Sequence, residues 1–313
     1  MSNKRKVNIA VSAGDPDGIG YDLCALLYEK SFNYHIDIYG DEEILLSRAK
    51  LLGIKKLCNN KITIHDIKKN KKVRDNRDLT LESIKSAIKS CIEKKSDALV
   101  TLPVNKEKLS TPEKLFTGHT EYITNILKEK NDPIMTFIGK DDFLVATHTT
   151  HLSLLNAIKK VKKNNLIKKI QYLHQSLKKQ LKINNPKILV TGLNPHAGEN
   201  GLFGIEEKKY IIPAINRLKE SNISVFGPVP ADTALLKNNI KKFDCIYYMF
   251  HDQALCAFKT KYFDIGVNLT LGLPILRTSV DHGTAEELVG KKDKISTKSF
   301  LNALNIAQKF SQR

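Results

Sequence analysis

Short apolar runs recur along the chain, each closed by glycine, proline or a charged cluster. Val7 to Val11, His35 to Tyr39, Lys61 to Ile67, Ala98 to Leu102, Phe143 to Thr149, Lys187 to Leu193, Cys245 to Phe250 and Val267 to Leu273 read as strands. Such continuous apolar runs fit strands covered on both faces. Between several of them the apolar positions shift to helical spacing, over Tyr21 to Lys30, Asp41 to Leu52, Leu79 to Lys95 and Glu121 to Lys130. In the third of these, Leu81, Ile84, Ala87, Ile88, Cys91 and Ile92 fall on one face. Strands alternating with helices predict parallel sheets with helices on both faces. Lys68 to Asp78 is charged and reads as a loop, and Phe226 to Thr233 (FGPVPADT) reads as a rigid proline-rich loop carrying Asp232.

Several strand ends run directly into residues able to do chemistry. His148-Thr149-Thr150-His151 follows one run, Asn194-Pro195-His196-Ala197-Gly198-Glu199 another, and His251-Asp252-Gln253 a third. Loops past the carboxyl ends of strands are where open α/β sheets bind ligands. His151, His196 and His251 therefore make a candidate set for a borderline-soft divalent ion, with positions left for substrate. Any one of them alone reads as a structural histidine; the repeated placement is what raises a joint metal site. His148 and His151 would point to opposite faces of an extended segment, which argues against both holding one ion.

The stretch from Met249 to Ala285 concentrates Lys259, Asn268 and Arg277 among two histidines and short apolar runs. A cation, a fork-shaped donor and an imidazole in one local unit suit a small anionic substrate. His119 and Thr120 open a helix, where free backbone N–H groups favour phosphate or carboxylate; Thr120 is equally an ordinary cap. Ser12 to Gly20 (SAGDPDGIG) lies between a strand and a helix, but its glycine spacing is not the dinucleotide fingerprint, and its two carboxylates would repel a phosphate.

Composition narrows the class. No apolar run approaches the roughly 20 residues a spanning helix needs, and the N-terminus lacks a long apolar h-region, so a cytoplasmic protein without membrane contact is expected. The formal charge of +18 invites nucleic acid, but the lysines alternate with apolar residues at helical spacing, as in AIKKVKKNNLIKK, and read as solvated helix faces. No nucleic-acid partner is expected. The five cysteines (Cys24, Cys58, Cys91, Cys245, Cys256) form no C-x-x-C pair and read as reduced, mostly buried thiols.

Taken together, GDPDGIG (14–20), LPVNK (102–106), TGHTE (117–121), THL (150–152), GLNPHAGE (192–199), GPVPADT (227–233), HDQ (251–253) and GVNLTLGLPILRTSVDHGTA (266–285) resemble the 4-hydroxythreonine-4-phosphate dehydrogenase family of pyridoxal phosphate biosynthesis. The match runs nearly end to end and in order, including the helix near Leu301 to Phe310. The resemblance implies an α/β fold like that of isocitrate and isopropylmalate dehydrogenases, with two α/β/α domains and the active site in the cleft between them. It implies a first domain of residues 1–124 plus 269–313 and a second of 125–268 carrying the histidines and dimer contacts. It implies NAD, with NADP as the variant, and a divalent metal, Zn or Co ahead of Mg on ligand softness.

In the family the site is completed across a homodimer. His151 and His196 match metal ligands of one subunit, and His251 matches the third ligand, from the partner. His119, Thr120, Lys259, Asn268 and Arg277 match substrate contacts, and Asp232 matches a site carboxylate that could be catalytic; no general base is assigned. The implied reaction oxidises the C3 hydroxyl of 4-phosphooxy-L-threonine with NAD. The 2-amino-3-oxo acid then loses CO2 to give 3-amino-2-oxopropyl phosphate. The chain departs from the family pattern in having Ala254 for a usual glycine and Asp17 for a common alanine, and in a shorter, more basic stretch around Asn59 to Asp78. Two other readings remain: a paralogous dehydrogenase for threonate or erythronate 4-phosphate or a dihydrodiol, and a basic nucleic-acid-associated protein.

Overall fold

The structure is a computed structural model that describes residues 6–69, 72–139, 142–262 and 265–312. The chain divides into two compact units, Met1–Lys130 with Leu273–Arg313, and Asn131–Gly272. Boundaries after 124 and 268 would cut the helix His119–Leu127 and the strand Val267–Leu271. The observed division leaves both elements whole, because each packs within a single unit.

The first unit begins with β1 (Asn8–Ser12), β2 (His35–Gly40), β3 (Ile62–Asp66) and β4 (Ala98–Thr101). All their pairings are parallel, β3 to β2, β2 to β1 and β1 to β4. Ile9, Val11, Ile36, Ile38, Leu99 and Val100 are fully buried, as expected for strands covered on both faces. The helix Asn76–Ile92 is capped by Asp75, whose side chain accepts from the Asp78 N–H at 2.7 Å. It therefore starts inside the stretch that reads as a loop from its charge. Its buried face carries Leu79, Ser83, Ile84, Ala87, Ile88 and Cys91, whereas Ile92, the last residue, is 54% exposed.

The second unit holds β5 (Ile134–Ile138), β6 (Leu144–Thr147), β7 (Ile188–Thr191), β8 (Val225–Val229), β9 (Cys245–Tyr248) and β10 (Val267–Leu271). Their order is β10-β5-β6-β9-β7-β8. β6, β9, β7 and β8 run parallel, but β5 is antiparallel to both β10 and β6. The all-parallel expectation is corrected there. Only a few residues separate β5 from β6, enough for a tight reversal and too few for the crossover that parallel neighbours require. The proline-rich stretch is corrected as well. Val225–Val229 pairs with β7 as an edge strand, where Pro228 gives up no ladder bond. Gly227 is required there, since at φ +111 any side chain would run into the Val190 carbonyl.

From Leu273 the chain returns to the first unit as β11 (Leu276–Ser279), parallel to β4. The helix Lys298–Ser311 packs on β11 and β4 through buried Phe300, Ala303, Leu304 and Ala307. A truncation such as Phe300→Ala would cost about 3–5 kcal/mol. Among the described residues no helix is long and apolar enough to cross a membrane. All five cysteines are free; Cys24, Cys91 and Cys245 are buried, while Cys58 and Cys256 are exposed.

Candidate active site

In the first unit, three expected substrate contacts converge. Arg277 lies on β11, 4% exposed, and its Nη2 donates to Thr101 Oγ1 at 2.9 Å while Nη1 donates to Thr120 Oγ1 at 3.2 Å. Burial lowers the guanidinium to about 10, opposed by the Glu121 carboxylate, so it remains a cation at neutral pH. His119 and Thr120 begin the helix His119–Leu127, whose cap Gly118 offers no side chain to the first backbone N–H groups. That end of the helix is electropositive and suits an anion.

His119 is held neutral. Burial, then the positive charges of Arg277 and Lys106, pull its imidazole down to about 3. Its Nε2 is buried and has no hydrogen-bond partner among the described residues. A neutral imidazole with an unused nitrogen, beside a buried guanidinium, can complete a hydrogen-bonded anion site without adding charge.

A pH prediction follows from the depressed His119 value. An imidazole of ordinary pKa, about 6.5, would gain a proton on unfolding below that pH. The stability tied to neutral His119 is thus fully present above about 6.5 and is lost progressively as pH falls toward the folded value. The His119 ring nitrogens are expected to show no protonation between pH 8 and pH 5 by nitrogen-detected NMR of the free protein. A midpoint near 6.5 would contradict the buried neutral state.

The loop before the first helix is organised by its carboxylates. Asp15 is buried and accepts from the Asp17 N–H at 2.9 Å. Asp17 in turn meets Lys108 Nζ at 2.9 Å, and the same ammonium reaches Glu286 at 2.8 Å. The two acids that read in the sequence as unfavourable for an anion are therefore engaged in a turn and an ion pair. The exposed pair is worth little by itself.

In the second unit, His151 follows β6 and His251 opens the helix His251–Tyr262. Their ring centroids are 5.7 Å apart. His251 Nδ1 donates to Asp252 Oδ1 at 2.7 Å, which leaves Nε2 as the lone-pair donor. The donor chemistry thus fits a borderline-soft divalent ion. His196 does not join them within one chain: no group of three His, Cys, Asp or Glu side chains is gathered for a metal ion among the described residues.

His196 sits in an exposed turn after β7. From His196 to Asn200 every residue has positive φ, beginning at φ 53 and ψ 27 for His196. For non-glycine residues such a conformation costs roughly 1–2 kcal/mol each, and strain of this kind clusters at functional sites.

The other candidates occupy separate elements of this unit. Lys259 is half-buried in the helix His251–Tyr262, Asn268 is half-buried on β10, and Asp232 is exposed in the turn after β8. His148 is a core residue. Its Nδ1 accepts from the Tyr247 hydroxyl at 2.8 Å, its Nε2 donates to the Lys160 carbonyl at 3.2 Å, and burial lowers it to about 4.

Three contributors were not singled out as site residues, although Gln253 lies in the HDQ motif. Thr101 ends an apolar strand and looks like ordinary core. Gln253 ties β7 to β9: its Nε2 donates to the Gly192 carbonyl and its Oε1 accepts from the Met249 N–H, both at 2.9 Å. Glu207 is one acid among many in a charged stretch, yet it is 2% exposed.

The chain is similar along most of its length to known proteins. A 4-hydroxythreonine-4-phosphate dehydrogenase of Methylococcus capsulatus is 36% identical, over 97% of this chain and 96% of the relative. The crystal structure of a 4-hydroxythreonine-4-phosphate dehydrogenase from Klebsiella pneumoniae superposes with a TM-score of 0.85 at 27% identity, covering 100% of both chains. The Burkholderia phymatum structure of the same title gives 0.81 at 30% identity, over 97% of this chain and 98% of that one. The family model of the pyridoxal phosphate biosynthetic protein PdxA matches residues 32–307. With that match spanning most of the chain, and with its motifs at the ends of strands in both units, the chain belongs to the PdxA family.

Proposed function

We propose that this protein is an oxidoreductase that oxidises and decarboxylates 4-hydroxythreonine 4-phosphate, with NAD as acceptor, in pyridoxal phosphate biosynthesis. The product is 3-amino-2-oxopropyl phosphate with CO2 and NADH. The observation that carries the reading is the convergence of buried Arg277, Thr120 and neutral His119 at an uncapped helix N-terminus, in a chain of the PdxA family. Arg277 supplies the fixed charge that holds a phosphate or carboxylate, and the hydroxyl of Thr120 and the helix N–H groups orient it. Lys259 and Asn268 extend the substrate contacts, and Asp232 remains the carboxylate candidate for proton transfer.

His151, His196 and His251 would hold the divalent ion, with zinc or cobalt favoured by the imidazole set. When bound, such an ion lowers the pKa of a coordinated hydroxyl and stabilises negative charge on oxygen. Asp252 fixes the His251 tautomer for that task. We assign His251 to the partner subunit's site, in a homodimer. Exposed Leu152, Leu154 and Leu155 follow His151 directly, and exposed Leu202, Phe203 and Ile205 follow the His196 turn. Apolar side chains left exposed beside both ligands support a subunit contact at this place. The free cysteines support a reducing, cytoplasmic location.

The test is NADH formation from 4-hydroxythreonine 4-phosphate, with and without a chelator, beside threonate and erythronate 4-phosphates. Turnover of the amino acid phosphate that stops on chelation is expected. Preference for a sugar-acid phosphate would reassign the substrate, and chelator-resistant turnover would remove the metal.

A further inference from the structure

We propose that Glu207 is the positioning residue for His196, fixing from below the left-handed turn that presents its imidazole. The inference rests on the reading of His196 as a metal ligand. The Glu207 carboxylate accepts three hydrogen bonds from the two residues that lead into Pro195 and His196. Oε1 takes the Leu193 and Asn194 N–H groups, both at 2.8 Å, and Oε2 takes the Asn194 Nδ2 group at 2.9 Å. Asn194 Nδ2 also donates to Glu206 at 2.8 Å, which holds its amide in one orientation.

The turn itself lies on the same carboxylate. A Cβ at Gly198 would stand 2.5 Å from Glu207 Oε2, and one at Gly192 would stand 3.1 Å from Oε1. Both glycines let the chain close over a charged group that is otherwise withdrawn from water. A run of left-handed residues does not persist by local preference, so something must over-determine it. Glu207 supplies that restraint from a rigid base. It opens a single π-helical turn, Glu207–Ile211, that continues into the helix Ile212–Glu220, which packs on the helix Lys163–Gln180. Single π-turns inside helices recur at functional sites. Only an ionised carboxylate offers acceptor positions on both oxygens and no donor to oppose Asn194 Nδ2.

The test uses the full-length protein with Co2+ as probe. Co2+ affinity is read by competition with a chromophoric chelator and its coordination by visible absorption, next to circular dichroism and the thermal transition. Glu207→Ala is expected to weaken Co2+ binding about ten- to a hundred-fold, as outer partners of metal ligands do, with a changed Co2+ spectrum. Glu207→Gln should recover part of this, because its carbonyl can still accept from the Leu193 and Asn194 N–H groups. His196→Ala serves as reference. If it binds Co2+ like the wild type, the ligand reading itself fails. If it loses Co2+ while folded Glu207→Ala keeps wild-type affinity and spectrum, the positioning role of Glu207 is overturned. Should Glu207→Ala not fold, Glu207→Gln and Asn194→Ala decide, and wild-type affinity in both overturns the role.

Discussion

His196→Ala and His251→Ala subunits, each inactive as a homodimer, are expected to regain activity when mixed. The expectation follows from assigning His151 and His196 to one subunit's site and His251 to its partner's. In the heterodimer one site then collects both lesions and the other has none. Two-fold symmetry makes the two sites equivalent, so each heterodimer should recover up to about half of the wild-type activity. The measurement is NADH formation after subunit exchange, with exchange confirmed by native mass spectrometry. If heterodimers form and no activity returns, the ligands belong to one chain, and the 5.7 Å approach of His151 and His251 within a chain becomes the natural core of that site. Each single variant should lose essentially all metal-dependent turnover, because removing one of three imidazoles leaves too few ligands for a site that substrate must complete.

Arg277→Lys should be nearly as damaging as Arg277→Ala. The lysine keeps the charge but loses the planar fork by which Arg277 reaches Thr101 and Thr120 while facing an anion. Truncating one partner of a buried, hydrogen-bonded charge contact costs about 2–5 kcal/mol. That is roughly a thirty-fold to several-thousand-fold loss in kcat/KM. The loss should fall mainly on substrate affinity. Arg277→Ala also strands the buried Thr101 hydroxyl, with a stability cost of about 1–3 kcal/mol for a buried group left unsatisfied, visible as a lowered thermal transition. Steady-state kinetics on both variants, with calorimetry alongside, check the pair. A wild-type KM in Arg277→Lys would place the anion elsewhere.

Much of the architecture was legible in the chain as written. Apolar runs ended by Gly, Pro or His report strands buried on both faces, and the strand ends carried His151, His196 and His251 in plain sight. The ordered motifs from Gly14 to Ala285 were enough to suggest the family. These features are local: burial sets the period of apolar residues within an element, and period survives in one dimension.

Tertiary structure alone decided the rest. The reversed direction of β5 depends on which strands it meets, and its apolar pattern reads the same in either direction. Arg277 is an anchored cation only because Thr101 and Thr120, 176 and 157 positions away, stand beside it. His148 and His119 look alike in sequence, yet one is satisfied in the core and the other keeps an unused nitrogen beside a guanidinium. Glu207 is indistinguishable from the acids around it until the Leu193 and Asn194 N–H groups fold onto it. A hydrogen bond or a shift in ionisation belongs to a pair of groups, and long-range partners come together only when the chain has packed.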